Sequence, residues 1–231
     1  MAKFITAQEA ANLINDGDSI GFAGMGLSGF PEEVVEAIAE RCKETGHPKA
    51  LELHQGSALG DWGERGVTCF GVEGLVAKWT SAHIGSALKL LPYVSANQVQ
   101  CHCLPQGVVV DLWREIATGR PGLITKVGLG TFVDPRVEGG KMNACTTEDI
   151  VEVIEIGGEE YLLYKAYKVN VALLRGTIAD SKGNISFENE SVLNEGLAVA
   201  QAVKHNGGIV IVQVQYQTEY GTIRPLSLIH I

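Results

Sequence analysis

The sequence has no run of 18 or more apolar residues, no block of basic side chains and no hydrophobic leader near its start. The first absence excludes a membrane-spanning helix. The third leaves no secretory signal in MAKFITAQEAANLINDGD, so a cytoplasmic location is expected. Lys+Arg number 18 against 27 Asp+Glu, a net charge of −9, which argues against non-specific nucleic-acid binding. Prolines are few (7) and aromatic residues make up 6%, yet 45% hydrophobic and 19% charged residues describe a folded protein, not a disordered one. A length of 231 residues is enough for one large domain with a proper core.

Cysteine is also too scarce and too irregular for a disulfide framework. Cys42, Cys69, Cys101, Cys103 and Cys145 are odd in number, and free buried or half-buried thiols are the expected state. Cys101-His102-Cys103 lies in an alternating, strand-like run, so Cys101 and Cys103 share a face that His102 does not, and no metal site is expected there.

Glycine is what the sequence has in excess: 28 residues, about 12% against a usual value of about 7%. Apolar periodicity runs between the glycines. Thr6 with Glu9 forms a capping box that opens a helix carrying Ala10, Leu13 and Ile14 on one face, ended by Asp16-Gly17. Asp18 to Ala23 reads as a strand, and Pro31 opens a helix whose buried stripe is Val34, Val35, Ile38, Ala39 and Cys42. Strands follow at Lys49–Gln55, Trp79–Ile84 and Gln98–Leu104. The last leads into a helix carrying Val108, Val109, Leu112, Trp113, Ile116 and Ala117. Beyond Lys126 come hairpin strands at Val151–Ile156 and Tyr161–Tyr164, joined by a Gly157-Gly158-Glu159-Glu160 turn, then a strand at Asn170–Leu174. A helix over Glu190–His205 and a buried strand over Gly208–Gln215 close the pattern. Alternation of strand and helix predicts one α/β domain: a mostly parallel sheet with helices on both faces and a hairpin-rich C-terminal part.

Two glycine-rich segments carry the chemistry. Gly24-Met25-Gly26-Leu27-Ser28-Gly29 fits G-x-G-x-x-G between a strand and a helix, with Glu52 some way on, which is the form of a dinucleotide-binding turn. Pro31 puts the helix start after the loop, however, and Glu52 falls inside its strand. A nicotinamide-dependent oxidoreductase domain and a non-catalytic module for small anions therefore both stay open. Either way, bare N–H groups ahead of a helix favour a negative oxygen. The second segment, Gly56 to Gly66, is too long for a mere connector, and Trp62 within it reads equally as a packing lid or a substrate contact.

Four segments together resemble the family I CoA-transferases. Gly24–Gly29 with Phe30-Pro31-Glu32 is similar to the family's G-x-G-x-x-G-x-P-E loop. Leu104-Pro105-Gln106-Gly107 is similar to its P-Q-G segment. Lys126 to Arg136 with Gly139-Gly140-Lys141-Met142-Asn143 resembles the acetate and propionate CoA-transferase branch. Arg175-Gly176-Thr177-Ile178-Ala179-Asp180 with Gly183-Asn184 is similar to its R-G-T-x-A-D-x-x-G-N hairpin, although a structural β-turn also accounts for Asp180 to Asn184.

The resemblance covers residues 1–225 and implies a CoA-transferase α-type domain, the N-terminal half of the enzyme. It implies transfer of CoA from acyl-CoA to a short-chain carboxylate through a glutamyl-CoA intermediate. No cofactor beyond CoA as substrate and no metal are implied. Gly24, Gly26, Leu27, Ser28 and Gly29 are the expected substrate-binding and oxyanion loop, and Gln106 the expected cleft residue. The family's nucleophilic glutamate belongs to the second half, so no catalytic residue is expected in this chain. Glu188-Asn189-Glu190 and Glu219-Tyr220-Gly221 match its motif by letters only. A β-type half, an oligomer and an apolar surface for that half are the implied partnerships. Arg136 and Lys141 are candidates for meeting anionic CoA. Residues 226–231 match no family segment and read as a truncated or foreign tail.

Overall fold

The computed structural model describes residues 2–223 and 229–230. Thr6 accepts from the Glu9 N–H while Glu9 accepts from the Thr6 N–H, and this capping box starts α1 (Ala7–Ala11). The helix is shorter than its apolar pattern: Ala10, Ala11 and Ile14 are buried, but Leu13 turns out to solvent. β1 (Ser19–Phe22) follows, then α2 (Glu32–Thr45), capped at its end by left-handed Gly46. Pro31 is the residue before that helix and not its first turn.

β2 (Leu51–Gln55), a 3₁₀ turn (Val67–Phe70), β3 (Val76–Ser81), α3 (Leu91–Ser95), β4 (Gln100–Cys103) and α4 (Gln106–Ala117) complete the alternating part. β5 (Gly122–Thr125), β6 (Val151–Ile156) and β7 (Glu159–Lys165) form a separate antiparallel sheet in the order β5-β7-β6. The predicted Gly157-Gly158 turn joins β6 to β7. Then come β8 (Val171–Asp180), β9 (Asn184–Ser186), α5 (Gly196–His205), β10 (Ile209–Thr218) and β11 (Ile229–His230).

In the central sheet β8, β1, β2, β3 and β4 lie side by side and parallel. β10 pairs parallel with the other edge of β8, and β9 folds back antiparallel beside the end of β8. Alternation along β8 shows how both faces are covered. Val171 and Leu173 join Ile20, Phe22, Leu53 and Trp79 under α1 and α2, whereas Ala172 and Leu174 meet Trp113 of α4 and Val199 of α5. Gly21 makes the second contact possible, since a Cβ there would stand 3.0 Å from both Trp113 and Val199. The small sheet packs Val151, Leu162 and Tyr164 against Val108 and Val109 of α4.

Two readings of the C-terminal region are corrected. The helix expected from Glu190 begins at Gly196, and residues 190–195 are irregular. The strand expected to be buried is β10, which is half-exposed because it pairs only with β8 among the described residues. Of the expected tail, residues 226–228 and 231 lie outside the described residues, while β11 pairs antiparallel with β9.

Candidate active site

Parallel strands bring their following loops to one end of the sheet, where open α/β folds place their ligands. The Gly24–Gly29 loop leaves β1 there. Met25 and Ser28 exchange both backbone bonds (3.1 and 3.0 Å), and the Gly26 N–H donates to the Ala58 carbonyl at 2.7 Å. Among the described residues no partner is found for the N–H of Leu27 or of Gly29. A Cβ on Gly24 would lie 2.7 Å from the Ser28 carbonyl oxygen, and one on Gly29 2.7 Å from Asn194 Nδ2, each at positive φ. The helix behind the loop adds little to an anion site. Gln213 Oε1 of β10 accepts from the N–H groups of Glu33 (3.1 Å) and Val34 (3.4 Å), so the start of α2 is already capped.

The second glycine segment follows β2 and is locked to its neighbours. Gln55, fully buried, donates from Nε2 to the Ser57 carbonyl (3.0 Å) and to Ser81 Oγ at the end of β3 (3.1 Å). Ser81 Oγ in turn donates to the His83 carbonyl (2.9 Å) and accepts from the His83 N–H (3.2 Å). Gly60 and Gly66 bridge the base of the loop, and Glu32 Oε1 accepts from the Gly66 N–H at 2.9 Å. Trp62, at its tip, is 59% exposed.

One contributor was not legible in the sequence. The stretch before α5 crosses the first glycine loop: Ser191 Oγ donates to Ser28 Oγ at 2.8 Å, and Asn194 lies on Gly29. Glu195 Oε1 comes 3.0 Å from the Cβ position of Gly56, beside Val110 of α4. Burial pushes its carboxyl above the ordinary range. Reading the segment as regular helix hid this crossing; the only available signal was Asn194-Glu195-Gly196, a polar pair ahead of a glycine. Gln106, the first residue of α4, is exposed one turn before Val110 and so stands on the rim of the same end.

Other candidates fall elsewhere. Arg136 pairs with buried Asp134 (2.8 Å) and Glu160 (2.9 Å), holding the Asp134 carboxyl well below its usual range, and Lys141 pairs with Asp149 (2.5 Å). Glu52 pairs with Lys78 (3.3 Å) near the start of β2, at the opposite end of the strand from the glycine loop. Glu190 is bound to Arg175 (3.1 Å), Glu188 accepts from Ser186 Oγ, and Glu219 is exposed after β10. Asp180 holds the N–H groups of Lys182 (2.9 Å) and Asn184 (3.0 Å), as a structural turn requires. The cysteines are free, and burial pushes the Cys101 thiol up to about 12. Cys101 joins the α1/α2 core while His102 turns to the other face and meets the Glu148 carbonyl at 3.1 Å. Glu32, Glu36 and Cys69 bring possible ligand atoms within 4.8 Å of one another, but Glu32 already holds the Gly66 N–H. No helix among the described residues is long and apolar enough to cross a membrane.

Comparison with known proteins gives this arrangement a family. Residues 4–230 match the Coenzyme A transferase family. A caffeate CoA-transferase from Acetobacterium woodii is 67% identical over 225 residues, 97% of this chain and 43% of that protein. The acyl-CoA transferase YdiF of Escherichia coli O157:H7, solved as a thioester complex with CoA, superposes with a TM-score of 0.94 at 37% identity. That match covers 97% of this chain and 44% of YdiF, so the chain spans less than half the length of these relatives. One subunit of a probable succinyl-CoA:3-ketoacid coenzyme A transferase from Bacillus subtilis is 25% identical, the match covering 95% of this chain and 82% of that protein. With the family match, the sequence and the fold in agreement, the chain belongs to the coenzyme A transferase family.

Proposed function

We propose that this chain is the α-type half of an acyl-CoA:carboxylate CoA-transferase whose nucleophilic glutamate is supplied by a β-type half, either a separate subunit or a continuation of the same polypeptide. The observation that carries the reading is that the Leu27 and Gly29 N–H groups, in a loop pinned by the Met25–Ser28 bonds at the ligand end of the sheet, have no partner among the described residues.

In the proposed reaction the glutamate carboxylate attacks the thioester carbonyl. The C–S bond breaks, an acyl-glutamyl anhydride forms and CoA leaves as thiolate. The thiolate then attacks the glutamyl carbonyl, giving glutamyl-CoA thioester and the free donor acid. The acceptor carboxylate attacks that thioester, and the same two steps in reverse deliver acyl-CoA and restore the glutamate. Every step passes through a tetrahedral oxyanion. Donors fixed beforehand need no reorganisation when that charge appears, and one such donor is worth about 10²–10³ in rate. Leu27 and Gly29 are assigned that role; Gly24, Gly26 and Ser28 shape the loop, and Gln106 stands at the cleft rim.

The acceptor is proposed to be a small carboxylic acid. The name of the 67%-identical relative favours a 3-arylpropenoate such as caffeate over a plain short-chain acid. The β-type half is proposed to cover the loop end. Val192, Leu193 and Leu197 are exposed beside the glycine loop, Leu193 at 81%, and β10 offers a half-apolar open edge. Exposed apolar side chains and an open strand edge are the features such a half would cover.

The test is reconstitution. This chain mixed with a β-type half should move CoA from acetyl-CoA to an added acid with ping-pong kinetics, and neither half should do so alone. No transfer to any acid in the mixture, or full transfer by this chain by itself, would overturn the proposal.

A further inference from the structure

The chain's three tryptophans are treated in opposite ways. Trp79 and Trp113 are fully buried, each in one of the two cores, whereas Trp62 is 59% exposed. It also sits at φ +57°, a left-handed conformation that bulky L residues avoid. Its loop is built to hold it there. Asp61 Oδ1 accepts from the N–H groups of Gly63 (2.9 Å) and Arg65 (3.2 Å), and the Gly60–Gly66 bridge closes the base. Among the described residues its one aromatic neighbour is His83, whose ring meets the indole at 66° with centroids 6.1 Å apart. That edge contact steadies the indole without covering both of its faces. His83 is itself fixed by Ser81, and its ring rests on Gly85, where a Cβ would lie 3.0 Å away.

Position completes the case. Trp62 follows β2, His83 follows β3, and the loop whose Leu27 and Gly29 N–H groups lack partners among the described residues follows β1, so the three segments stand side by side at one sheet end. The Gly26 bond to the Ala58 carbonyl ties the β1 and β2 segments together.

We infer that Trp62, steadied by His83, is a specificity-determining platform on which the aromatic ring of an arylpropenoate acid stacks while its carboxyl group reaches the Leu27–Gly29 donors. The inference rests on the transferase reading above and narrows its substrate class. An aliphatic acid has no ring to stack, so the indole discriminates in favour of aryl acids. A packing role accounts poorly for a strained and exposed tryptophan, since burial is what a packing residue gains.

The test uses the transferase formed by this chain and its β-type half, with acetyl-CoA as donor and 3-phenylpropenoate or propionate as acceptor. The readout is the ratio of kcat/KM for the two acids. Trp62→Ala should lower the aryl-to-propionate ratio about tenfold, the size of a lost aromatic stack, through the KM of the aryl acid. Trp62→Phe should restore part of it, and His83→Ala should lower it less. A wild-type enzyme that accepts propionate but not the aryl acid would overturn the inference, as would an unchanged ratio in Trp62→Ala. If that variant instead loosens the two halves in sedimentation and leaves the ratio alone, Trp62 is an interface residue and the inference fails. Absence of transfer to either acid in the wild type marks failure of the transferase reading itself.

Discussion

The two ends of the central sheet are finished differently. At the end where β1 and β8 begin, carboxylates and amides hold one another. Asp18 accepts from the Asn15 N–H (2.7 Å) and from Asn170 Nδ2 (2.7 Å), and Asn170 Oδ1 accepts from the Ser19 N–H (2.8 Å). Asp16 holds the Lys49 N–H at 3.0 Å and pairs with His47 at 2.9 Å. At the other end, the Leu27 and Gly29 N–H groups are among those without a partner in the described residues, a tryptophan is strained and exposed, and a glutamate carboxyl is half-buried with its charge disfavoured. One end closes the fold; the other is the proposed reaction end. Damage to the first end should therefore register as stability, and damage to the second as activity.

The strongest attempt to break that division is Gly29→Val. Its φ of +74° strains a β-branched residue, and its Cβ, 2.7 Å from Asn194 Nδ2, pushes aside the side chain that lies on the loop, so the Gly29 donor is displaced. Transfer in the reconstituted enzyme should fall by about 100-fold or more, the value of a misplaced oxyanion donor, with circular dichroism unchanged. Gly26→Val sharpens the point: its φ is +61° but nothing lies within 4 Å of the new Cβ, and its N–H is already bound. It should be strained by about 1–2 kcal/mol yet lose less activity than Gly29→Val.

At the closed end, Asn170→Leu strands Asp18 and the Ser19 N–H. Denaturant unfolding should show a loss of about 2–3 kcal/mol, with kcat of the folded fraction unchanged. A drop in kcat at constant stability would contradict the division.

The middle of the sheet gives a pH dependence. His54 is buried, its ring stacked on Tyr167 at 3.9 Å, and neither ring nitrogen has a hydrogen-bond partner among the described residues. Burial holds its pKa below the ordinary 6.5, and burial does the same for His102. Glu52, 3.8 Å from His54 Nε2, pulls the other way without overcoming burial. Below pH 6.5 the unfolded chain binds protons that the folded chain refuses. Stability should thus be full above that pH and fall on acidification, by up to about 1.4 kcal/mol per pH unit for each histidine, until the folded-state pKa is reached. His54→Phe should flatten the slope in thermal melts between pH 5 and 7.

The smallest effect is expected from Glu195→Gln. Burial already disfavours the charge, so the amide should leave transfer intact and raise stability at neutral pH by about 1 kcal/mol or less. A large loss of transfer would mean that Glu195 takes part in the chemistry.

Much of this was legible in the residues. The capping box at Thr6, the stripe from Val34 to Cys42 and the stripe from Val108 to Ile116 are local periodicities, and local periodicity fixes which face of a helix is buried. The glycine loop was legible because each glycine there does something no other residue does. Tertiary context decided the rest. Residues 190–195 have helix-compatible letters but are drawn across the glycine loop by Ser28 and Gly29. β10 has the composition of a core strand, yet half its surface is open because β8 is its sole strand partner among the described residues. Which N–H groups of the loop remain free depends on Ala58, some thirty positions away, and no reading of spacing alone reaches that far.

The central claim is that the open end holds the reacting oxygen for a nucleophile supplied from elsewhere. The direct measurement is to incubate the reconstituted enzyme with acyl-CoA, trap the glutamyl-CoA thioester by borohydride reduction, and locate the modified glutamate by peptide mass spectrometry. The account predicts modification on the β-type half and none within residues 1–231; a reduced glutamate at Glu188, Glu190, Glu195 or Glu219 would contradict it.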